Sequence, residues 1–169
     1  MKKISSYKLA RIAIVATLYI GATLAVAPLS FGPVQFRFSE ILVLLCFYNP
    51  EFCFSMILGC FISNLYSPLT YYDLIFGVAS TVFTVAGIYF FGKYKPLGRL
   101  SLVFSSLFAS VSMVFIAWEL TLLGEPFLMS FLTTFTGEFI VVTVIGCPLF
   151  KKLEKNKIFM NYIENRKDF

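Results

Sequence analysis

The chain has 169 residues, of which 59% are hydrophobic and only 14% are charged. In soluble domains about a quarter of the residues are charged and about half are apolar, so this composition excludes a soluble protein. Because a transmembrane helix uses about 20 residues, six such helices with short loops would fill the chain. We therefore predict a single integral membrane domain over residues 1–169, with no room for a soluble catalytic domain.

Two residue types narrow the chemistry further. The sequence contains no histidine, which excludes Ser-His-Asp and Cys-His nucleophile systems and His-ligated zinc sites. The four cysteines include no C-x-x-C pair and are expected to be free, small apolar side chains. We predict a protein that is not an enzyme and needs neither a cofactor nor a metal. Gly92-Lys93 lacks the Ser or Thr that follows in a phosphate-binding loop, so any ATPase would be another subunit.

Six apolar segments alternate with breaks along the chain, and we predict an all-α membrane protein with six transmembrane helices in one compact bundle. The first segment runs from Leu9 to about Leu29. The second, Ile41–Tyr48, is too short to cross a bilayer alone, and Asn49-Pro50 ends it. The other four segments cover residues 51–66, 73–91, 100–123 and 127–150.

The basic residues predict the orientation of these segments. With six spans, all but one of the 14 Lys and Arg residues fall on one side, and only Arg37 lies opposite. By the positive-inside rule, both termini are then cytoplasmic. The net charge of +5 is explained by topology, and no nucleic-acid partner is implied.

Most acids inside the apolar segments lie toward the outer end of the helices, opposite the basic residues. Glu138 lies about 11 residues into the last segment, near the middle of the bilayer. An ionisable group at that depth costs about 2.5–3.5 kcal/mol and usually faces a cavity or a partner. We therefore expect an acidic pocket for a small cation or a ligand rich in hydrogen-bond donors. The acids at this end are Glu40, Asp73, Glu119, Glu125 and Glu138, while Glu51, Glu154, Glu164 and Asp168 lie with the basic residues and are expected to be solvated.

Several of these residues also have a purely structural interpretation, and Glu125, in a turn, is expected to be solvated. Glu138 has the weakest such alternative, because no histidine or lysine neighbours it. The alternatives are a helix-dipole contact for Asp73, an ion pair between Arg37 and Glu40, a helix-joining hydrogen bond for Asn64, and interfacial anchoring for Glu119 beside Trp118.

Small residues form a stripe along the first helix. Ala13, Thr17, Gly21 and Ala25 are spaced four apart, so they share one helix face. Such faces let helices approach closely in lipid. The stripe could pack against helices of the same chain or dock to a second membrane protein.

The segment Pro28–Glu40, with the sequence PLSFGPVQFRFSE, resembles the signature of the queuosine-precursor transporter family. That family comprises the QueT-type substrate-binding (S) components of energy-coupling factor (ECF) transporters. Further matches in the same order are Asn64, Asp73 with Gly77, Trp118-Glu119-Leu120 and Gly137-Glu138.

The resemblance implies a six-helix S component that captures a 7-deazaguanine, in the aminomethyl or cyano form, from outside the cell. Its partners would be a transmembrane coupling protein and two ATPase subunits, and it would topple in the bilayer to release its cargo inside. S components dock through an Ala-x-x-x-Ala motif on helix 1. In this chain Thr17 and Gly21 interrupt that motif.

The residues predict how such a cargo would be bound. We expect Glu138 or Glu119 to bind the guanine edge, whose N–H donors a carboxylate accepts in pairs. A second acid, either Glu40 or Asp73, would hold an aminomethyl group as its counter-ion. A stand-alone secondary transporter is the rival interpretation.

Two further residues complete the predicted site. Trp118, or a Phe or Tyr, could stack on the flat ring. Gln35 would form part of a gate over the base. The predicted substrate-binding residues are Gln35, Arg37, Glu40, Asn64, Asp73, Trp118, Glu119 and Glu138.

Overall fold

A computed structural model describes residues 6–32 and 35–163, with only the backbone at Arg99. Across these ranges the chain is helical and contains no β-strand, which confirms the all-α prediction. Lys2, Lys3, Arg166 and Lys167 are among the basic residues expected on one side, and Glu164 and Asp168 are among the acids expected to be solvated. These six residues lie outside the described part of the chain.

The described residues form seven helices and one separate helical turn at Ala27–Ser30. The helices are α1 (Ser6–Ala25), α2 (Phe38–Tyr48), α3 (Glu51–Asn64), α4 (Thr70–Tyr94), α5 (Ser101–Leu122), α6 (Phe127–Leu153) and α7 (Lys157–Ile163).

Four of these helices are long and apolar enough to cross a membrane. They are α1, α4, α5 and α6, with 20, 25, 22 and 27 residues. The protein is therefore a multi-pass membrane protein. Helices α2 and α3 occupy two more of the predicted segments but are shorter, so a count of six spans stays a prediction.

Helix α2 lies inside the bundle, packed against α1, α4 and α6. Its first seven residues, Phe38–Leu44, wind as a 3₁₀ helix, and Leu45–Tyr48 continue as an α-helix. A 3₁₀ helix rises about 2.0 Å per residue against 1.5 Å, so this short helix reaches about 20 Å. Irregular backbone is tolerated at membrane depth where protein surrounds it, and residues 43–48 are all buried.

Many of the basic residues meet at one end of the bundle, which we call the basic end. The guanidinium of Arg11 on α1 pairs with Glu51 at the start of α3 and donates to the Tyr162 carbonyl at 2.9 Å. Asn49 donates to the neighbouring carbonyl of Ile163 at 2.8 Å, so two side chains hold the last turn of α7. Glu51 is only 3% exposed. The prediction that Glu51 is solvated is therefore wrong, because it is the counter-ion of a buried arginine.

Candidate functional site

A small polar cavity lies inside the bundle, between α2, α4, α5 and α6. The space that the centre of a water molecule can occupy there is about 10 Å³, which suits about one water. The cavity is therefore too small for a flat ring, which could enter only if lining side chains moved. The cavity is lined by Gln35, Arg37, Glu40, Gly77, Ser80, Thr81, Thr84, Met113, Ile116 and Glu138.

Two buried carboxylates lack hydrogen-bond donors among the described residues. Glu119 is 0% exposed and neither of its oxygens has a partner, and Oε1 of Glu138, which is 2% exposed, has none either. Buried polar atoms are normally paired, so each orphan acceptor needs an explanation. Glu138 lines the cavity, and Glu119 lies one turn further along α5 than the lining residue Ile116.

A local change of helical winding accompanies Glu138. Residues Phe139–Gly146, directly after it, form a π-helix within α6, and Asp73–Gly77 form another near the start of α4. Departures of this kind from α-helical winding are frequent at functional sites.

Arg37 is held by three groups around the cavity. Its Nε donates to the Ser30 carbonyl at 3.1 Å, its Nη2 lies 3.3 Å from Oδ1 of Asp73, and its guanidinium lies 5.4 Å from the ring centroid of Phe31. The other carboxylate oxygen of Asp73 accepts from the Ser67 hydroxyl. The predicted alternative of an Arg37–Glu40 ion pair is wrong, since Arg37 pairs with Asp73.

Glu40 has a different partner, which the sequence analysis missed. The hydroxyl of Tyr19, on α1, donates to Oε1 of Glu40. Both residues are buried. The available signal was weak, since Tyr19 is one hydroxylated aromatic within an apolar helix, on the face opposite Thr17 and Gly21.

Asn64 joins α3 to α4, as its structural alternative predicted. Its Nδ2 donates to the Asp73 carbonyl at 2.8 Å, while its Oδ1 has no partner among the described residues. Gly77 makes room for this contact, because a Cβ there would lie 2.6 Å from the Asn64 Nδ2.

Hydroxyl groups on α4 were also missed as lining residues. The Ser80 hydroxyl donates to the Ser112 carbonyl at 3.1 Å, and the Thr84 and Ser112 hydroxyls lie 2.5 Å apart. The Thr81 hydroxyl donates to the Gly77 carbonyl at 3.0 Å. Spacing of hydroxyl residues at 80, 81 and 84 on one helix face was the signal that could have found them.

Gln35 and Trp118 are placed very differently. Gln35 is 6% exposed, lines the cavity and has a φ of 48°, a left-handed conformation that is uncommon outside glycine. Trp118 is 58% exposed and does not line the cavity. Its placement argues against a stacking role and fits the interfacial alternative.

The small-residue stripe on α1 lies on the outside of the bundle. All four members are exposed, and a Cβ built on Gly21 meets nothing within 4 Å. The stripe therefore does not pack against other described helices of this chain. Its members are Ala13, Thr17, Gly21 and Ala25.

A multi-pass helical protein with a small polar cavity and unpartnered carboxylates has the features of a protein that binds or transports a small solute. Comparison with known proteins identifies the group. The QueT transporter family matches residues 9–155. "Queuosine precursor transporter QueT" of Lactococcus lactis subsp. cremoris (strain MG1363) is 39% identical over 165 residues, covering 92% of this chain and 96% of that protein. The chain belongs to the QueT transporter family, which confirms the resemblance drawn from residues 28–40. No solved structure matches it.

Proposed function

We propose that this chain is the substrate-binding component of an ECF-type importer and that it captures a queuosine precursor, 7-aminomethyl- or 7-cyano-7-deazaguanine. The family and the name of the 39% identical relative support a queuosine precursor as cargo. The observation that carries the proposal is the presence of buried carboxylate oxygens without donors in Glu119 and Glu138.

These two acids suit the guanine-like edge of the cargo. That edge presents adjacent N–H donors, and one ionised carboxylate can accept two of them. Ligand binding would then satisfy acceptors that are otherwise buried without partners, which is a gain available only to a donor-rich ligand. Glu138 is the better placed of the two, because it lines the cavity directly.

Glu40 is the stronger candidate for the acid that holds an aminomethyl group. It lines the cavity, and only one of its oxygens accepts the Tyr19 hydroxyl. Asp73 does not line the cavity, and its two oxygens already face Arg37 and Ser67. We assign Asp73 and Asn64 to the positioning of Arg37 and α4, and Gln35 to the gate over the ligand.

Calorimetric titration of the purified protein with both deazaguanines, guanine and riboflavin tests the cargo assignment. The Glu138→Gln and Glu119→Gln variants should each bind the deazaguanine about 10- to 100-fold more weakly, because a hydrogen bond to a charged acceptor is lost. Glu125→Gln is the matched control, since Glu125 is an exposed acid in the turn before α6. Undiminished affinity in both variants, or tight binding of riboflavin alone, would contradict the proposal.

The coupling step rests on the exposed stripe of α1. We propose that Ala13, Thr17, Gly21 and Ala25 dock to the transmembrane coupling protein, which works with two ATPase subunits. The protein would sit in the cytoplasmic membrane with six spans and both termini inside. In reconstituted vesicles, Gly21→Leu should abolish ATP-dependent uptake and leave binding affinity unchanged. Uptake by the chain alone, without coupling protein or ATPases, would instead support a stand-alone secondary transporter.

A further inference from the structure

The basic end contains a second, larger concave feature that the transport mechanism does not use. A groove of about 930 Å³ lies between the end of α2, the loop after α4 and the last turns of α6. Phe47 and Tyr48 contribute to its floor, together with Leu102 and Pro148. Because Phe47 and Tyr48 are buried core residues, the floor is a fixed part of the bundle.

The rim of this groove is strongly positive. It carries four lysines against the single carboxylate of Glu154, and in the described ranges none of the four forms an ion pair. An uncompensated cluster of this kind attracts an anion. The rim lysines are Lys95, Lys151, Lys152 and Lys155.

One of these lysines is tied to the apolar floor. Lys95 takes a left-handed backbone conformation, with φ of 42°, directly after α4 ends. Its ammonium lies 5.9 Å from the ring centroid of Phe47. Charge and apolar surface are therefore combined in one site, whereas lysines that serve only to orient a membrane protein need no such floor.

The position of the groove indicates where its ligand comes from. It lies where α4 and α6 end and α5 begins, and these three helices are long and apolar enough to cross a membrane. Exposed apolar side chains at the same end, Leu97, Leu100 and Leu149, offer surface for hydrocarbon. A soluble anion would use the rim alone, while a lipid would use the rim and this apolar surface together.

We propose that this groove binds the headgroup of an anionic phospholipid, with its phosphate at the lysine rim. The probes are dioleoyl phosphatidylglycerol, dioleoyl phosphatidylcholine and glycerol 3-phosphate, and their retention by the purified full chain is measured by native mass spectrometry. Phosphatidylglycerol should be retained and phosphatidylcholine should not, because only the first carries a net negative charge.

Variants locate the site. Lys151→Gln/Lys155→Gln should weaken phosphatidylglycerol binding about 25-fold, since each basic residue near an anionic lipid contributes about a factor of five. Lys95→Gln alone should weaken it about fivefold. Lys151→Arg/Lys155→Arg should retain binding, as should Lys157→Gln, which removes an exposed lysine of α7 outside the groove.

Three outcomes would overturn the assignment. The first is equal retention of the two lipids. The second is full retention of phosphatidylglycerol by both the Lys151→Gln/Lys155→Gln variant and the Lys95→Gln variant. The third is displacement of phosphatidylglycerol by an equal concentration of glycerol 3-phosphate, which would assign the groove to a soluble phosphate ligand. Circular dichroism confirms that each variant is folded, and the exposed positions of the lysines make this the expected result.

Discussion

The Tyr19 hydroxyl of α1 donates to Glu40 of α2, and the same tyrosine ring lies against Gly59 of α3, where a Cβ would come within 2.9 Å of it. One side chain thus joins three helices at the wall of the cavity. The opposite face of α1 carries the exposed small-residue stripe. A ligand that moves Glu40 would therefore act directly on the helix proposed to dock with the coupling protein.

The Tyr19→Phe variant tests this link. It keeps the ring against Gly59 but leaves a buried oxygen of Glu40 without its donor, so the free energy of unfolding should fall by about 1–3 kcal/mol. Affinity for the deazaguanine should fall as well, because Glu40 lines the cavity. Chemical denaturation in detergent and calorimetry measure the two effects. Tyr71→Phe, at a residue that is 84% exposed, is the control, and equal stability of the two variants would contradict the link.

The Arg37–Asp73 pair should behave as a unit. Asp73→Asn leaves a buried guanidinium without its counter-ion and should destabilise the protein by about 3–5 kcal/mol. The double variant Arg37→Gln/Asp73→Asn should lose less stability than the sum of the two single variants, because it removes both charges of the pair together. A double-mutant cycle of unfolding free energies measures this coupling. Strict additivity would show that the two side chains, 3.3 Å apart, do not interact energetically.

Gly77 should be required for the position of Asn64. A Cβ at residue 77 would lie 2.6 Å from the Asn64 Nδ2, so Gly77→Ala should break the hydrogen bond to the Asp73 carbonyl and weaken ligand binding. Adding Asn64→Ala should restore part of the lost stability, since it removes the clash. Gly21→Ala is the control with open space around it and should leave stability and affinity unchanged. Thermal unfolding and titration of these three variants check this, and no effect of Gly77→Ala would contradict it.

The sequence was enough to predict the helical class and the apolar segments, because hydropathy acts over 20 or so residues and needs no knowledge of contacts. It also placed Glu138 and Glu119 in the interior, since a carboxylate within an apolar segment has few alternatives. These predictions depend on local composition.

Partners across helices could not be predicted in the same way. Arg37 and Glu40 are three residues apart, which suggested a local ion pair. Because residues 38–44 wind as a 3₁₀ helix and α4 approaches Arg37, the guanidinium pairs with Asp73 instead. Glu51 was predicted to be a solvated end residue, yet it is buried and pairs with Arg11, whose guanidinium also donates to the Tyr162 carbonyl of α7. Trp118 was predicted to stack on the ring because it is an aromatic residue within the Trp118-Glu119-Leu120 match, yet its side chain is 58% exposed and does not line the cavity.

The last turn of α7 should depend on Arg11. Arg11→Gln removes one of the two basic partners of Glu51 and the donor to the Tyr162 carbonyl, while Lys8 stays 3.2 Å from Glu51. It should therefore destabilise the protein by about 1–3 kcal/mol and release α7. Limited proteolysis should then cut within Lys157–Ile163 much faster than in the parent protein. Deazaguanine affinity should be unchanged, because Arg11 is at the opposite end from the cavity. Lys157→Gln, on the same helix, is the control, and equal proteolysis of the two variants would contradict the role of Arg11.

Two variants of Gln35 should distinguish the effect of backbone strain on stability from the effect of the side-chain amide on ligand binding. Its φ of 48° crowds the backbone of any residue with a Cβ, so Gln35→Gly should raise the free energy of unfolding by about 1 kcal/mol, while Gln35→Ala should not. Both variants lack the amide that we propose closes over the base, so both should bind the deazaguanine more weakly and to the same extent. Denaturation and calorimetry on the pair give the two results independently. Full affinity in both variants would exclude Gln35 from the gate, and equal stability of the glycine and alanine variants would show that the left-handed backbone is not strained.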